Sequence, residues 1–166
     1  MLCCSIAVLG DSHIKWNKNN HSCTILNTDG SCMGSPIRAG CGGVFRNSAG
    51  YYLSGFSGYI QGSSDILHAE LYAIYHGLLL TNKLGILELV CYSDSLLCVN
   101  LLKDPTTMFH VYAVLIQDVK DLMEQNNIIV CHTLREGNQY ADFLAKLGAY
   151  SYYDLVHHTS PPGGLL

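Results

Sequence analysis

The stretch Thr24-Ile25-Leu26-Asn27-Thr28-Asp29-Gly30-Ser31 ends a mainly apolar run with one carboxylate, which a glycine and a hydroxyl residue follow. Such a run predicts a buried β-strand over residues 23–31 that carries an acid to the edge of a fold. Asp29 is therefore the first candidate ligand of a metal site, and acids from elsewhere in the chain are needed to complete it.

The composition predicts one compact domain. Hydrophobic residues make up 49% of the 166 residues and charged residues 13%, which is typical of a globular chain and not of a disordered one. The net charge is −4, whereas proteins that bind nucleic acid usually carry a basic face. A nucleic-acid partner would therefore depend on bound divalent cations for positive charge.

The eight cysteines contain no CxxC pair and no zinc-finger spacing with histidine, which argues against a structural zinc site. Cys91 and Cys131 lie in apolar strand-like runs, where free cysteine behaves as a small hydrophobic residue. Reduced thiols predict an intracellular, reducing compartment, the nucleus or the cytoplasm. The apolar segment 1–10 is too short to span a bilayer and has no basic start, so no membrane partner is expected.

Three segments are predicted along the chain: a poorly ordered leader over 1–21, a domain over 22–149 and a C-terminal tail over 150–166. Within the domain, glycine-rich turns separate three strand-like runs, after which helical periods alternate with strands. The order β-β-β-α-β-α-β-α predicts an α/β fold with a five-stranded mixed sheet. The handedness of the crossovers favours helices on both faces of that sheet.

The first predicted helix, over residues 63–83, brings a second acid to the sheet. Ser63 and Ser64 are its candidate N-caps. Ala69, Ala73 and Gly77 form a ridge of small residues, which lets a helix approach a sheet closely. Glu70 flanks this ridge and is expected at the seam between helix and sheet.

Two further acids follow the same logic. Asp94 ends the apolar run 86–92 at the C-terminal end of a strand predicted to be parallel, where α/β folds place their ligands. Asp142 lies one turn beyond Asn138 on the last helix, which Gly148 is predicted to close. Four carboxylates in one place repel one another and need cations, and Mg²⁺ is the oxygen-liganded choice. Two such ions would make a phosphodiesterase of the two-metal type.

Each acid also has a structural alternative. Asp29 could cap a turn by accepting a hydrogen bond from the Ser31 backbone, and Asp94 could be only an N-cap. Glu70 could be a half-exposed helix residue, and Asp142 could be a favourable charge near a helix start. Considered alone, each acid is better explained by its structural alternative than by metal binding. The four acids together favour a metal site.

Four motifs carry a family resemblance: Asn27-Thr28-Asp29-Gly30-Ser31, His68-Ala69-Glu70-Leu71, Tyr92-Ser93-Asp94-Ser95 and Arg135-Glu136-Gly137-Asn138-Gln139-Tyr140-Ala141-Asp142. In this order they resemble the ribonuclease H-like domains of plant retroelement-derived, reverse-transcriptase-associated proteins, over about residues 25–148. The resemblance implies the ribonuclease H-like fold and hydrolysis of the RNA strand of RNA–DNA hybrids. It implies that the catalytic and metal-binding set, with two Mg²⁺ ions or Mn²⁺, is Asp29, Glu70, Asp94 and Asp142.

The resemblance also implies a substrate-binding set. Backbone groups at Gly30 and Cys32 would contact the 2′-hydroxyl, which distinguishes RNA from DNA, although Gly30 could instead only make a turn. Ser35 stands in the glycine-rich turn where such enzymes often have asparagine, and Asn138 completes the set together with Arg135. Phosphate contacts would fall to Arg38, Arg46 and Arg135, each of which could equally be a solvated surface charge. The chain is expected to act as a monomer or within a larger retroelement-type polyprotein.

Two departures from the family pattern favour a different function. The loop 135–137 has no histidine, which many ribonucleases H carry before the last acid, and residues 110–124 hold Lys120 as their single lysine. These departures favour a catalytically weak or inactive module that binds nucleic acid or protein. The four retained acids favour the enzyme, and a redox or zinc protein built on the cysteines ranks last.

Overall fold

The computed structural model describes residues 23–164, so the predicted leader 1–21 lies outside the described residues. The strands are β1 (Thr24–Met33), β2 (Arg38–Arg46), β3 (Tyr52–Ile60), β4 (Leu89–Ser93), β5 (Ile129–His132) and β6 (Val156–His158). The helices are α1 (Ile66–Lys83), α2 (Leu96–Lys103), α3 (Ala113–Gln125) and α4 (Gln139–Ala149), with 3-10 turns at Arg135–Asn138 and Pro162–Gly164. No helix within residues 23–164 combines the length and apolar character needed to cross a bilayer.

The sheet is mixed, with β1 near its centre. Its strand order is β5-β4-β1-β2-β3-β6, in which β1 pairs antiparallel with β2 and parallel with β4. The parallel pairs require long crossover connections, which α1 provides before β4 and α2 with α3 provide before β5. The predicted order of three strands, followed by helices that alternate with strands, is therefore confirmed, and the first three strands form an antiparallel meander.

The prediction of five strands is wrong, because the predicted tail contains a sixth. The backbone of β6 pairs antiparallel with β3 over residues 55–57. Two side-chain contacts reinforce this pairing: Ser54 Oγ with His157 Nε2, and Ser57 Oγ with His158 Nε2 at 2.7 Å. The segment after α4 thus folds back and covers the edge of the meander.

Helix α1 lies on one face of the sheet. Its N-cap is Asp65, which accepts from the Leu67 backbone N–H at 2.9 Å, so the caps predicted at Ser63 and Ser64 are wrong. A Cβ at Gly77 would lie 2.7 Å from the Leu26 side chain, which confirms that the small-residue ridge faces the sheet. The buried apolar core between this helix and β1 includes Leu26 and Leu71.

Helix α4 contacts β2 and β3 through glycines. A Cβ at Gly40 would lie 2.2 Å from the Ala149 backbone N, and one at Gly42 would lie 2.4 Å from the Ala145 backbone N. Because α4 runs on to Ala149, the predicted role of Gly148 in closing the helix is wrong. Gly148 instead lets α4 approach the backbone of Gly58.

Candidate metal centre

The strand register places two of the predicted acids side by side. The parallel pairing of β1 with β4 ends at Thr28↔Ser93, so the next residue along each strand is an acid, Asp29 or Asp94. Asp29 is 4% exposed and lies inside β1, which continues to Met33. Asp29 therefore lies beside the end of β4 and in the middle of β1, whereas the sequence predicts it at the end of its own strand.

The structural alternatives for these two acids do not hold. Ser95 caps α2 by accepting from the Cys98 backbone N–H at 3.3 Å, which leaves the Asp94 carboxylate free of that role. Asp29 Oδ1 accepts from the Gly30 backbone N–H at 3.0 Å within a strand, where no turn needs a cap. Both carboxylates thus occupy the site without a capping function.

A third acid arrives through the close approach of α1 to β1. A Cβ at Gly30 would lie 2.5 Å from both the Ala69 carbonyl carbon and the Glu70 backbone N, a distance that atoms in a packed interior do not reach. Gly30 therefore makes no turn, and its missing side chain lets the helix approach. Glu70 is 7% exposed, so the half-exposed alternative for this residue is also excluded.

Three of the predicted acids form one cluster. Single carboxylate oxygens of Asp29, Glu70 and Asp94 all lie within 4.8 Å of one another. Burial raises the pKa of Glu70 to about 10, and the charge of Asp29 contributes. Burial also raises the pKa of Asp29 to about 7, an effect that its hydrogen bond with Glu70 reduces and the charge of Asp94 strengthens. In the metal-free site, burial and mutual repulsion therefore favour a proton shared by the pair of Asp29 and Glu70.

The donor atoms of this cluster fit a hard divalent cation. Glu70 Oε2 is buried and has no hydrogen-bond partner, which is costly for a polar atom unless a ligand satisfies it. Carboxylate oxygens suit Mg²⁺ and Mn²⁺. A cation would both satisfy Glu70 and relieve the repulsion among the three acids.

Asp142 is not part of this cluster. Its Oδ2 lies 2.6 Å from Lys146 Nζ, one turn further along α4, and its side chain is 40% exposed. These contacts match the alternative of a favourable charge in the first turn of a helix. A role for Asp142 as a metal ligand stays a prediction.

Asn138 ties the start of α4 to the central strand. It is 1% exposed, its Nδ2 donates to the Thr28 carbonyl at 2.9 Å, and its Oδ1 accepts from Asn27 Nδ2 at 3.2 Å. Both ends of the amide are thus engaged, which gives the residue a positioning contact. A direct contact between Asn138 and a substrate stays a prediction.

The other predicted substrate residues differ in exposure. The Arg135 side chain is 92% exposed, and its Nε lies 3.9 Å from Asp94 Oδ2. Cys32 is half-buried in β1, and Ser35 is exposed in the turn before β2. The guanidinium of Arg38 donates to the carbonyls of Ala149 and Ser151 at 2.7 and 2.6 Å, so a phosphate contact there would compete with bonds that hold the chain after α4.

Two residues of the site have no role in the sequence-based prediction. Lys146 pairs with Asp142, and the i, i+4 spacing of opposite charges on one helix is a signal that would find it. Asn27 is a polar residue within an apolar strand, 7% exposed. A buried amide implies a partner, although the spacing alone does not reveal that the partner is Asn138.

Comparison of the sequence with known proteins gives a consistent family. The family described as reverse transcriptase-like matches residues 27–148. A relative from Arabidopsis thaliana, which is named as a ribonuclease H protein, is 32% identical over 138 residues. The match covers 79% of this chain and 22% of the relative, so the chain spans about a fifth of that protein's length.

Solved ribonuclease H domains share the architecture. The N-terminal RNase H domain of a Mycobacterium tuberculosis protein is 27% identical with a TM-score of 0.68, over 77% of this chain and 94% of that one. LC11-RNase H1 in complex with an RNA/DNA hybrid is 25% identical with a TM-score of 0.64, over 76% and 96%. RNase H1 from Halobacterium salinarum, at 20% identity and a TM-score of 0.69 over 76% and 96%, shows the fold alone. The predicted ribonuclease H-like fold is confirmed.

Proposed function

Since this chain belongs to the reverse-transcriptase-like family of ribonuclease H-like domains, of the plant retroelement type, we propose that it is a metal-dependent endoribonuclease that hydrolyses the RNA strand of RNA–DNA hybrids. The observation that carries the proposal is the buried cluster of Asp29, Glu70 and Asp94 with its unpartnered Glu70 oxygen. Mg²⁺ or Mn²⁺ bound there would supply an activated water and charge stabilisation at the leaving oxygen.

The chain's own residues would divide the work as follows. Asp29, Glu70 and Asp94 would hold one cation, and in the proposed two-ion form Asp142 would contribute a ligand for the second. The charge of Asp142 already raises the pKa of Asp29, which supports a place for this acid beside the cluster. The Asn138 amide, bonded to β1, keeps the start of α4 at a fixed distance from Asp29.

The proposed substrate follows from the surroundings of the cluster. Gly30 and Cys32 lie on the same strand as Asp29, so their backbone groups are the proposed contacts to the ribose 2′-hydroxyl. Ser35, in the exposed turn beyond that strand, and Arg135 are proposed to contact the nucleic-acid backbone. The hybrid bound to LC11-RNase H1 supports this class of partner. We place the chain in the nucleus or cytoplasm, as a monomer or within a larger polyprotein.

One assay tests this function. The purified full chain is incubated with Mg²⁺ and an RNA–DNA hybrid labelled on its RNA strand, with the same RNA in an RNA duplex as the comparison substrate. Internal cleavage of the hybrid alone, abolished by a chelator, is the expected result. Background cleavage of the hybrid at all Mg²⁺ and Mn²⁺ concentrations would overturn the proposal.

Replacing Arg135 by glutamine is expected to weaken substrate binding with little change in kcat. The exposed guanidinium lies 3.9 Å from Asp94, where it can reach a phosphate near the metal cluster. Loss of one phosphate contact lowers the slope of log affinity against log salt by about one. The measurement is KM for the hybrid across a salt series, with Lys83→Gln, which removes an exposed charge on α1, as the control. An unchanged salt slope contradicts the phosphate contact.

The stability of the metal-free protein is expected to fall as pH rises. The pKa values of both Asp29 and Glu70 are raised, so the folded state binds more protons than the unfolded one. This stabilisation is complete below the usual carboxyl range near pH ~4. It is lost as pH rises through about 7 for Asp29 and towards about 10 for Glu70.

Mg²⁺ and protons compete for the carboxylates of Asp29 and Glu70. Because fewer protons are bound at higher pH, the stabilising effect of Mg²⁺ is expected to grow with pH. Thermal unfolding with and without millimolar Mg²⁺ measures this effect, and the increase in Tm should be larger at pH 8 than at pH 6. An increase that is the same at both pH values, or absent, contradicts a cation at the raised carboxyls.

A second candidate function is a module that binds protein without catalysis. The segment between α2 and α3 and the start of α3 expose four apolar side chains: Met108, Phe109, Val111 and Val114, at 74, 93, 82 and 77%. Clustered exposed apolar residues are typical of interaction sites. The cleavage assay decides between the candidates, because only the enzyme cuts the hybrid in a metal-dependent manner.

A further inference from the structure

The fourth acid of the predicted set is held differently from the other three. Asp142 lies in the first turn of α4, and its carboxylate is paired with the Lys146 ammonium at 2.6 Å. Within residues 23–164, the group of three or more metal-ligating side chains with ligand atoms within 4.8 Å of one another consists of the other three acids. Asp142 is thus held by an ammonium in close contact, whereas Asp94 has a longer contact, at 3.9 Å, with the exposed guanidinium of Arg135.

Asp142 nevertheless lies close enough to act on the cluster. Asn138, one turn before it, donates to the carbonyl of Thr28, the residue before Asp29, and Gly42, the β2 partner of Asp29, packs against the α4 backbone at Ala145. Charge interactions at the surface are largely screened beyond about 10 Å at ~0.1 M salt. Lys146 therefore neutralises a carboxylate that belongs to the electrostatic surroundings of the metal centre.

We propose that Lys146 competes with a divalent cation for Asp142, so that the metal centre fills in two unequal steps. The inference rests on the proposed metal-dependent function. Asp29, Glu70 and Asp94 offer a buried set with an unpartnered oxygen and take the first ion. Asp142 becomes available as a ligand for the second ion when the Lys146 side chain turns away into solvent.

The exposure of the pair allows this exchange. The Lys146 side chain is 47% exposed, and lysine is a compact charge on a flexible stem, so the ammonium can move into water at little cost. Exposed i, i+4 pairs are also weak. An ammonium near Asp142 repels an incoming cation, and its removal is expected to tighten binding of the second ion about three- to tenfold.

The test is a calorimetric titration of the metal-free full chain with Mn²⁺, without nucleic acid. Wild type is expected to bind one ion tightly and a second more weakly. Lys146→Met should tighten the second step about three- to tenfold and leave the first within about twofold. Lys146→Arg, which keeps the charge, and Lys83→Met, which removes an exposed charge elsewhere, should behave as wild type.

The outcomes separate this inference from the function on which it rests. Equal affinities for the second ion in wild type and Lys146→Met, or a single ion bound by both, overturn the competition and leave a metal-dependent nuclease standing. No Mn²⁺ binding by wild type overturns both. Asp142→Asn is expected to remove the second step in either background, and a second step that persists assigns it to other ligands and overturns the inference.

Discussion

The Asp29→Asn variant is expected to lose cleavage of the hybrid by about 10³-fold or more, the scale on which groups that act as a catalytic unit are lost. Asp29 contacts both Gly30 and Glu70, and the negative charges of Asp94 and Asp142 raise its pKa. An amide at this position is a much weaker cation ligand than a carboxylate. Initial rates on the labelled hybrid at saturating Mg²⁺ measure the loss.

The same variant is expected to melt at a higher temperature than wild type in metal-free buffer at pH 8. Above the raised pKa of about 7, wild type must bury a charged Asp29 beside other acids. Asparagine is neutral and nearly identical in shape, and its oxygen can still accept from the Gly30 backbone N–H. A variant that loses activity and gains stability indicates that the repulsion among the clustered carboxylates destabilises the fold but is needed for function.

The control for this variant is Asp118→Asn, which neutralises an exposed acid on α3. Neither the rate nor the melting temperature should change in this control beyond what a surface substitution causes. Cleavage by Asp29→Asn within tenfold of wild type would show that the cluster is not the catalytic site. A lower melting temperature would show that the ionised carboxylate contributes to the metal-free fold.

The Gly30→Ala variant is expected to lose both stability and the response to Mg²⁺. The added methyl would lie 2.5 Å from the Ala69 and Glu70 backbone, so α1 or β1 must shift. Overpacking of this kind costs about 1–3 kcal/mol or more, and backbone cannot yield as a flexible side chain can. The shift moves Glu70 away from Asp29 and opens the three-acid cluster. Chemical denaturation and the Mg²⁺-dependent change in Tm measure the two effects.

Gly40→Ala is the matched control for this effect. Its Cβ would lie 2.2 Å from the Ala149 backbone N, so it overpacks as severely, but against the last turn of α4 and away from the three acids. It should lose stability and keep the increase in Tm with Mg²⁺. If the Tm of both variants still increases with Mg²⁺, the close approach of α1 to β1 is not required to hold Glu70 at the metal site.

The three clustered acids are predictable because local patterns place each one. Asp29 and Asp94 each follow an apolar run, and parallel pairing of those runs brings their ends together. Glu70 flanks the small-residue ridge of α1, and such a ridge has to face the sheet. In these cases the pattern of apolar residues in the sequence shows which face of each strand or helix is buried, and therefore where the acid is placed.

The remaining features depend on contacts between distant segments. The Asn138 amide and the backbone contact at Gly30 join elements that are far apart in sequence, so neither has a local signature. The side chain of Asp142 pairs with Lys146, one turn further along α4, and the apolar pattern of the helix does not reveal this pairing. The strand Val156–His158 is three residues long, too short to show the alternation that identifies a strand.

The fold-back of β6 onto β3 has a consequence for how the chain behaves at high concentration. With β6 paired to residues 55–57 in the middle of β3, the edge strands of the sheet are β5 and β6, which are four and three residues long. Long, flat edge strands recruit strands from neighbouring molecules and start aggregation, whereas short ones offer too few free backbone groups. Removal of residues 150–164 would expose nine-residue β3 as a new edge, so light scattering should show self-association of the shortened chain where the full chain remains dispersed.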